Sequence, residues 1–206
     1  MTALELTAIT DLLLAGEAFL AAGFLLGRVS SAPSAALFWA LGLFCMGLVA
    51  LLGGLDHGFF EPKGDTRARK ILKKAVWLCT GPMTLCIWMF IAFQFAGPEL
   101  RLPILAVGLA QLAVFCYLAI RRDAFLVVIL NYAPVALILL VLNVAGLANG
   151  SGSWPIVAGL LISIAASAAQ ALGVDRFSPL DRNGLYHVLM IPAVLLFFWG
   201  GLSLLE

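Results

Sequence analysis

Charge is what this sequence has least of. Only 11% of its 206 residues are Asp, Glu, Lys or Arg, against about 25% in a typical soluble domain. By contrast 63% are hydrophobic, and the mean hydropathy is +1.09. A formal net charge of +1, with no basic stripe interleaved with aromatics, excludes a strongly basic nucleic-acid binder, and no nucleic-acid partner is expected. Cysteine is scarce: Cys45, Cys79, Cys86 and Cys116 form no CxxC pair and sit in apolar runs. That argues against a zinc ribbon or a disulfide framework, and the four read as small buried hydrophobes. Phosphate loop, dinucleotide fingerprint and nucleophile–base triad are all missing. The last apolar run has no lysine to hold a retinal Schiff base, which argues against a light-driven pump. The start, MTALELTAITD, lacks the basic region of a signal peptide, so the first apolar run is expected to be retained.

What the chain does have is apolar length. Crossing the ~30 Å hydrocarbon core takes roughly 20 residues of helix. Seven runs approach or exceed that length: 6–26, 35–55, 73–95, 102–120, 124–147, 155–172 and 184–205. Turn-forming stretches such as FFEPKGD, AGPELRLP and ANGSGSWP separate them. Pro33, Pro103 and Pro155 fall where helices would begin, whereas Pro82, Pro134 and Pro192 fall inside runs and predict kinks. An open sheet is excluded, because lipid cannot satisfy a free strand edge. The expectation is an all-α, polytopic membrane bundle of seven transmembrane helices, one domain over residues 1–206.

Orientation follows from counting cations by side. Lys63, Arg67, Arg69, Lys70, Lys73, Lys74, Arg121, Arg122, Arg176 and Arg182 fall on the side of the N-terminus, and only Arg28 and Arg101 on the other. Ten against two predicts a cytoplasmic N-terminus and an outside C-terminus; the expected location is the plasma membrane, which is the inner membrane if the source is bacterial. The basic stretch around Thr66–Lys74 reads as this topology signal, with anionic lipid as a further contact. Gly159, Ser163 and Ser167 recur every four positions, a spacing that suits close helix packing.

Ionisable groups at membrane depth are expensive and point to function. Glu17 lies near the middle of the first run and Asp11 one turn in. Gln111, Asn131, Asn143 and Gln170 read as interhelical ties. The only two histidines, His57 in GGLDHGFF and His187 in DRNGLYHVLM, end the second run and start the seventh. Helices of opposite direction bring both to one membrane level. Imidazole binds zinc, iron or copper, but a protein zinc site takes three or four ligands. Asp56, Asp65, Asp175, Asp181 and the deeper Asp11 are the third-ligand candidates. We take Asp181 with His57 and His187 as the metal set, and Asp56 and Glu17 as acid–base candidates. Asp56, adjacent to His57, should point ~100° away unless the helix unwinds at Gly58.

This arrangement resembles the CREST superfamily of membrane hydrolases, which includes alkaline ceramidases and the progestin and adipoQ receptors. His57 matches the family's helix 2 histidine, and His187 the second histidine of its helix 7 HxxxH. Gly53 stands at the family's serine, Asn183 at its first helix 7 histidine, and helix 3 has no aspartate. The resemblance implies a divergent member with a zinc-activated hydrolysis of a lipid amide or ester at the cytoplasmic leaflet. Two readings of other classes stand beside it. One is a bis-histidine haem protein; the other is a non-catalytic accessory or assembly subunit of a membrane complex. Membrane lipids are the expected partners, with other membrane subunits under the last reading.

Overall fold

A computed structural model describes residues 2–29, 32–175 and 179–205. Among the described residues every regular element is helical: α1 (Ala3–Leu26), α2 (Ala35–Leu55), α3 (Arg67–Gln94), α4 (Pro98–Arg121), α5 (Leu126–Gly146), α6 (Trp154–Ala171) and α7 (Arg182–Leu202). All seven are long and apolar enough to cross a membrane. The protein is an all-α bundle of seven such helices, as the apolar runs predict. Arg176, one of the ten cations behind the orientation, lies outside the described residues.

Boundaries move wherever capping chemistry outweighs hydropathy. α3 starts at Arg67, well before its apolar run, because Thr66 Oγ1 accepts Arg69 N at 3.2 Å. The basic stretch from Arg67 to Lys74 is therefore the first two turns of a helix, not a loop. Pro98, rather than Pro103, takes the first turn of α4. α2 continues beyond Leu55 into a π-helical turn (Asp56–Phe60) and a 3-10 turn (Glu61–Lys63). Such π turns are rare and frequent at functional sites.

α1 lies between α2 and α7; α3 packs on α2, α6 on α7, and α5 joins α3 to α6. The ring is thereby closed, with α4 outside it against α3. Small residues let α1 wedge in so closely: Ala15, Ala18 and Ala22 are fully buried. At Gly159 an added Cβ would come within 2.6 Å of the Phe197 ring and 3.1 Å of the Ala193 carbonyl, so only glycine allows α6 this near α7. The amides do tie helices together. Gln111 Nε2 donates to Asn131 O at 2.6 Å, Trp88 Nε1 to Gln111 Oε1 at 2.8 Å, and Asn131 Nδ2 to Thr84 Oγ1 at 2.8 Å. That network joins α3, α4 and α5. Across the ring, Trp39 Nε1 donates to Phe197 O at 2.8 Å while its indole packs on Phe90. Two independent sets of buried contacts thus hold the helices in fixed register.

Candidate metal centre

Three helices deliver side chains to one point near the end of the bundle where α1 and α7 begin. α1 and α7 run in parallel register, shown by Thr7 Oγ1 donating to Asp181 Oδ1 (2.8 Å) and by Thr10 meeting His187. That register sets Asp11 beside His187. α2 approaches from the other side, its π turn carrying His57. The imidazole ring centroids of His57 and His187 are 6.2 Å apart. The carboxylate of Asp11, 3% exposed, lies between them. Oδ1 faces His187 Nε2 at 3.1 Å, and Oδ2 faces His57 Nε2 at 3.8 Å.

Hydrogen bonds on the far side of each ring fix which nitrogen carries the proton. Glu61 Oε2 lies 2.5 Å from His57 Nδ1, and a carboxylate there can only accept, so Nδ1 is the N–H. Thr10 Oγ1 spends its proton on Thr7 O at 2.9 Å, leaving its oxygen to accept from His187 Nδ1 at 3.4 Å. With Nδ1 engaged in this way, each ring turns its Nε2 toward Asp11. Asp11 Oδ2 has no hydrogen-bond partner among the described residues. One buried carboxylate thus faces an Nε2 atom of each histidine, at 3.1 and 3.8 Å, a donor set that a proton or a metal ion could occupy.

A second cluster backs the first. The ligand atoms of Asp56, His57 and Glu61 lie within 4.8 Å of one another. Arg69 already neutralises that side: its Nη2 is 2.5 Å from Glu61 Oε1 and its Nε 3.5 Å from Asp56 Oδ1. The π turn makes this pairing, since Glu61 N donates back to Asp56 O and stacks the two carboxylates over one guanidinium. Glu61 thereby orients His57, as carboxylates behind metal-binding histidines commonly do.

Several sequence expectations need correction. Asp181 is not with the histidines: it caps α7, its Oδ1 accepting Gly184 N at 2.7 Å and the Thr7 hydroxyl. Its place beside them is taken by Asp11. Asp56 faces Arg69 rather than the Nε2 atoms, being adjacent to His57 on a helical backbone. Glu17 is six residues beyond Asp11, about 9 Å along the axis, with both carboxyl oxygens buried and unpartnered. It belongs to neither cluster. Asp65 pairs with Lys70 at 3.0 Å, and Asp175 accepts Arg182 N at 2.8 Å. Asn183 is turned to α6, accepting from Gln170 Nε2 at 3.0 Å. Glu61 and Thr10 were not foreseen; the i,i+4 spacing from His57 was the available signal for Glu61.

No curated protein and no solved structure matches this chain. Residues 6–206, with Asp11, His57 and His187 all inside the match, fit the family of unknown function DUF6962, and the chain belongs to that family.

Proposed function

We propose that this protein is a membrane-embedded, metal-dependent hydrolase acting on an amide or ester bond of a lipid. Asp11, His57 and His187 hold the ion. The observation that carries the reading is the donor set itself, the Nε2 atoms of both histidines 3.8 and 3.1 Å from the oxygens of one buried carboxylate, whose Oδ2 has no hydrogen-bond partner among the described residues. Two histidines and a carboxylate are a catalytic rather than a structural set, because they leave a coordination position open. Zinc is the ion implied by the resemblance to the CREST hydrolases. A divalent ion bound there supplies Lewis acidity to a carbonyl and acidifies water at neutral pH.

The residues around it do the rest. Glu61 and Thr10 hold the two rings in the ligating tautomer. Arg69 keeps Asp56 and Glu61 in place and cancels their charge on the rear side. Asp11 Oδ2, without a donor, is the nearest proton acceptor. Substrate reaches the centre from the His57 side, where the imidazole is partly exposed and Gly58 and Phe59 line the outer surface. That opening sits at the end of a spanning helix, so a lipid can bring a headgroup-proximal carbonyl to it with its chains still in hydrocarbon. A haem between the histidines is disfavoured, because the Asp11 carboxylate fills the space a porphyrin plane needs.

The test is metal analysis and an absorption spectrum of the purified protein, followed by turnover of an N-acyl and O-acyl lipid panel. Expected are about one ion per chain, no Soret band, and loss of the ion in both His57→Ala and His187→Ala. Metal-free wild type, with both variants as stable as the parent, would leave the accessory-subunit reading instead.

A further inference from the structure

A second polar site lies away from the donor set. We propose that the cleft between the first two turns of α3 and the α4–α5 connection binds the phosphate group of an anionic membrane lipid. The cavity measures about 210 Å³. Arg69, Lys70, Lys73 and Lys74 line it from α3, and Arg121 and Arg122 from the end of α4. Only Asp65 and Asp123 oppose these six cations.

Two features distinguish this cavity from charges scattered by topology. Its walls are tied together: Lys74 Nζ donates to Ala119 O at 2.8 Å and to Arg122 O, bolting α3 to the carbonyl end of α4. Three of its cations are also free to bind. Lys70 is taken by Asp65, Lys74 also lies near Asp123, and Arg69 is taken by Glu61. Lys73, Arg121 and Arg122 have no carboxylate within ion-pair distance among the described residues. Lys73 instead lies 5.2 Å from the Trp77 ring and Arg121 5.9 Å from Tyr117. A held cavity with a surplus of positive charge suits a phosphate, which takes several donors at once.

The source of that phosphate is read from the apolar rim. Ile120 lines the cavity and is 64% exposed. Phe125, exposed as well, has its ring 6.4 Å from that of buried Trp77, which lies under the cavity's Lys73 and Lys74. A soluble phosphate gains nothing from this rim, whereas acyl chains descending from a bound headgroup cover it. Arg69 lines the cavity and holds Glu61, so a lipid seated here lies behind the His57 imidazole. The site nonetheless stands without the metal reading, since none of its free cations touches Asp11, His57 or His187.

The experiment uses the full chain in phosphatidylcholine nanodiscs doped with phosphatidic acid, retained lipid being counted by native mass spectrometry. One phosphatidic acid should be held by the wild type. Lys73→Gln with Arg122→Gln should weaken it about 30-fold, at roughly fivefold per charge near a membrane surface. Lys63→Gln with Arg67→Gln removes the same charge outside the cavity and should change binding less than twofold. If the second pair weakens binding as much as the first, the attraction is diffuse and the proposal fails. If inorganic phosphate displaces the lipid and binds equally well in detergent, the ligand is a soluble phosphate and the lipid assignment fails. Should the first pair disturb insertion, Arg122→Gln alone should show about a fivefold loss, and no loss there would overturn the site. Metal content should be the same in all these variants.

Discussion

Replacing Asp11 by asparagine tests whether the proposed centre holds a metal ion or only a proton. The change keeps the shape of the side chain and removes its charge. With an ion present, the carboxylate is the only anionic donor facing it, its oxygens 3.1 and 3.8 Å from the histidine nitrogens. Unit charges ~4 Å apart interact by about 4 kcal/mol at an effective dielectric of ~20. Losing even one such interaction should weaken the ion roughly 1,000-fold. Wild type saturated about 1,000-fold above its dissociation constant gains ~4 kcal/mol from the ion. Chelation should therefore lower its Tm by several degrees and leave the Asp11→Asn protein unmoved. With only a proton between the groups the sign reverses. The asparagine amide donates directly to a free Nε2, the buried charge is gone, and stability holds or rises by about 1 kcal/mol. Thermal unfolding with and without chelator, beside metal counts on both proteins, reads the difference. A chelator-indifferent wild type together with a stabilised Asp11→Asn would refute the metal centre.

Two further outcomes follow from geometry. Gly53→Ala places a Cβ 3.0 Å from Asp11 Oδ2, and overpacking of that kind costs ~1–3 kcal/mol; metal content should fall at least fivefold while the protein still folds and inserts, and full retention of the ion would show that Asp11 does not ligate it. Reporter fusions after Lys74 and Arg122 should read as cytoplasmic and fusions after Arg28 and Ser151 as external, and an inverted result at any of the four would break the ten-to-two charge asymmetry.

The bundle was legible because a membrane leaves a chain little choice. Lipid demands a closed backbone and a minimum length, so each run of about 20 apolar residues announces its helix. What hydropathy missed were ends governed by single hydrogen bonds. The cap on α3 needs only the Thr66 hydroxyl, and it moves the start of the helix from Lys73 to Arg67. That shift turns a basic loop into a helix face, and the cavity against α4 exists only because of it. The π turn after Leu55 was equally invisible, since the ion pairs that go with it join Asp56 and Glu61 to Arg69, a residue of the next helix.

The site shows the same division. Two histidines at one membrane level followed from helix direction alone. Choosing their third partner did not, because proximity in sequence favoured Asp181 while only the α1–α7 register places Asp11. Asp181 is consumed by its capping bonds, and Asn183 by Gln170 of α6. The family resemblance made Gly53 and Asn183 look like lost site residues. In the structure Gly53 lies against the α1 carboxylate that faces the histidines, and a Cβ there would sit 3.0 Å from Asp11 Oδ2, so a side chain at 53 would press on it. Under the proposed metal reading, the carboxylate comes from α1, which is wedged between α2 and α7 by its alanine face, and not from the sequence neighbours of the two histidines; the small residue at 53 is what leaves that carboxylate its room.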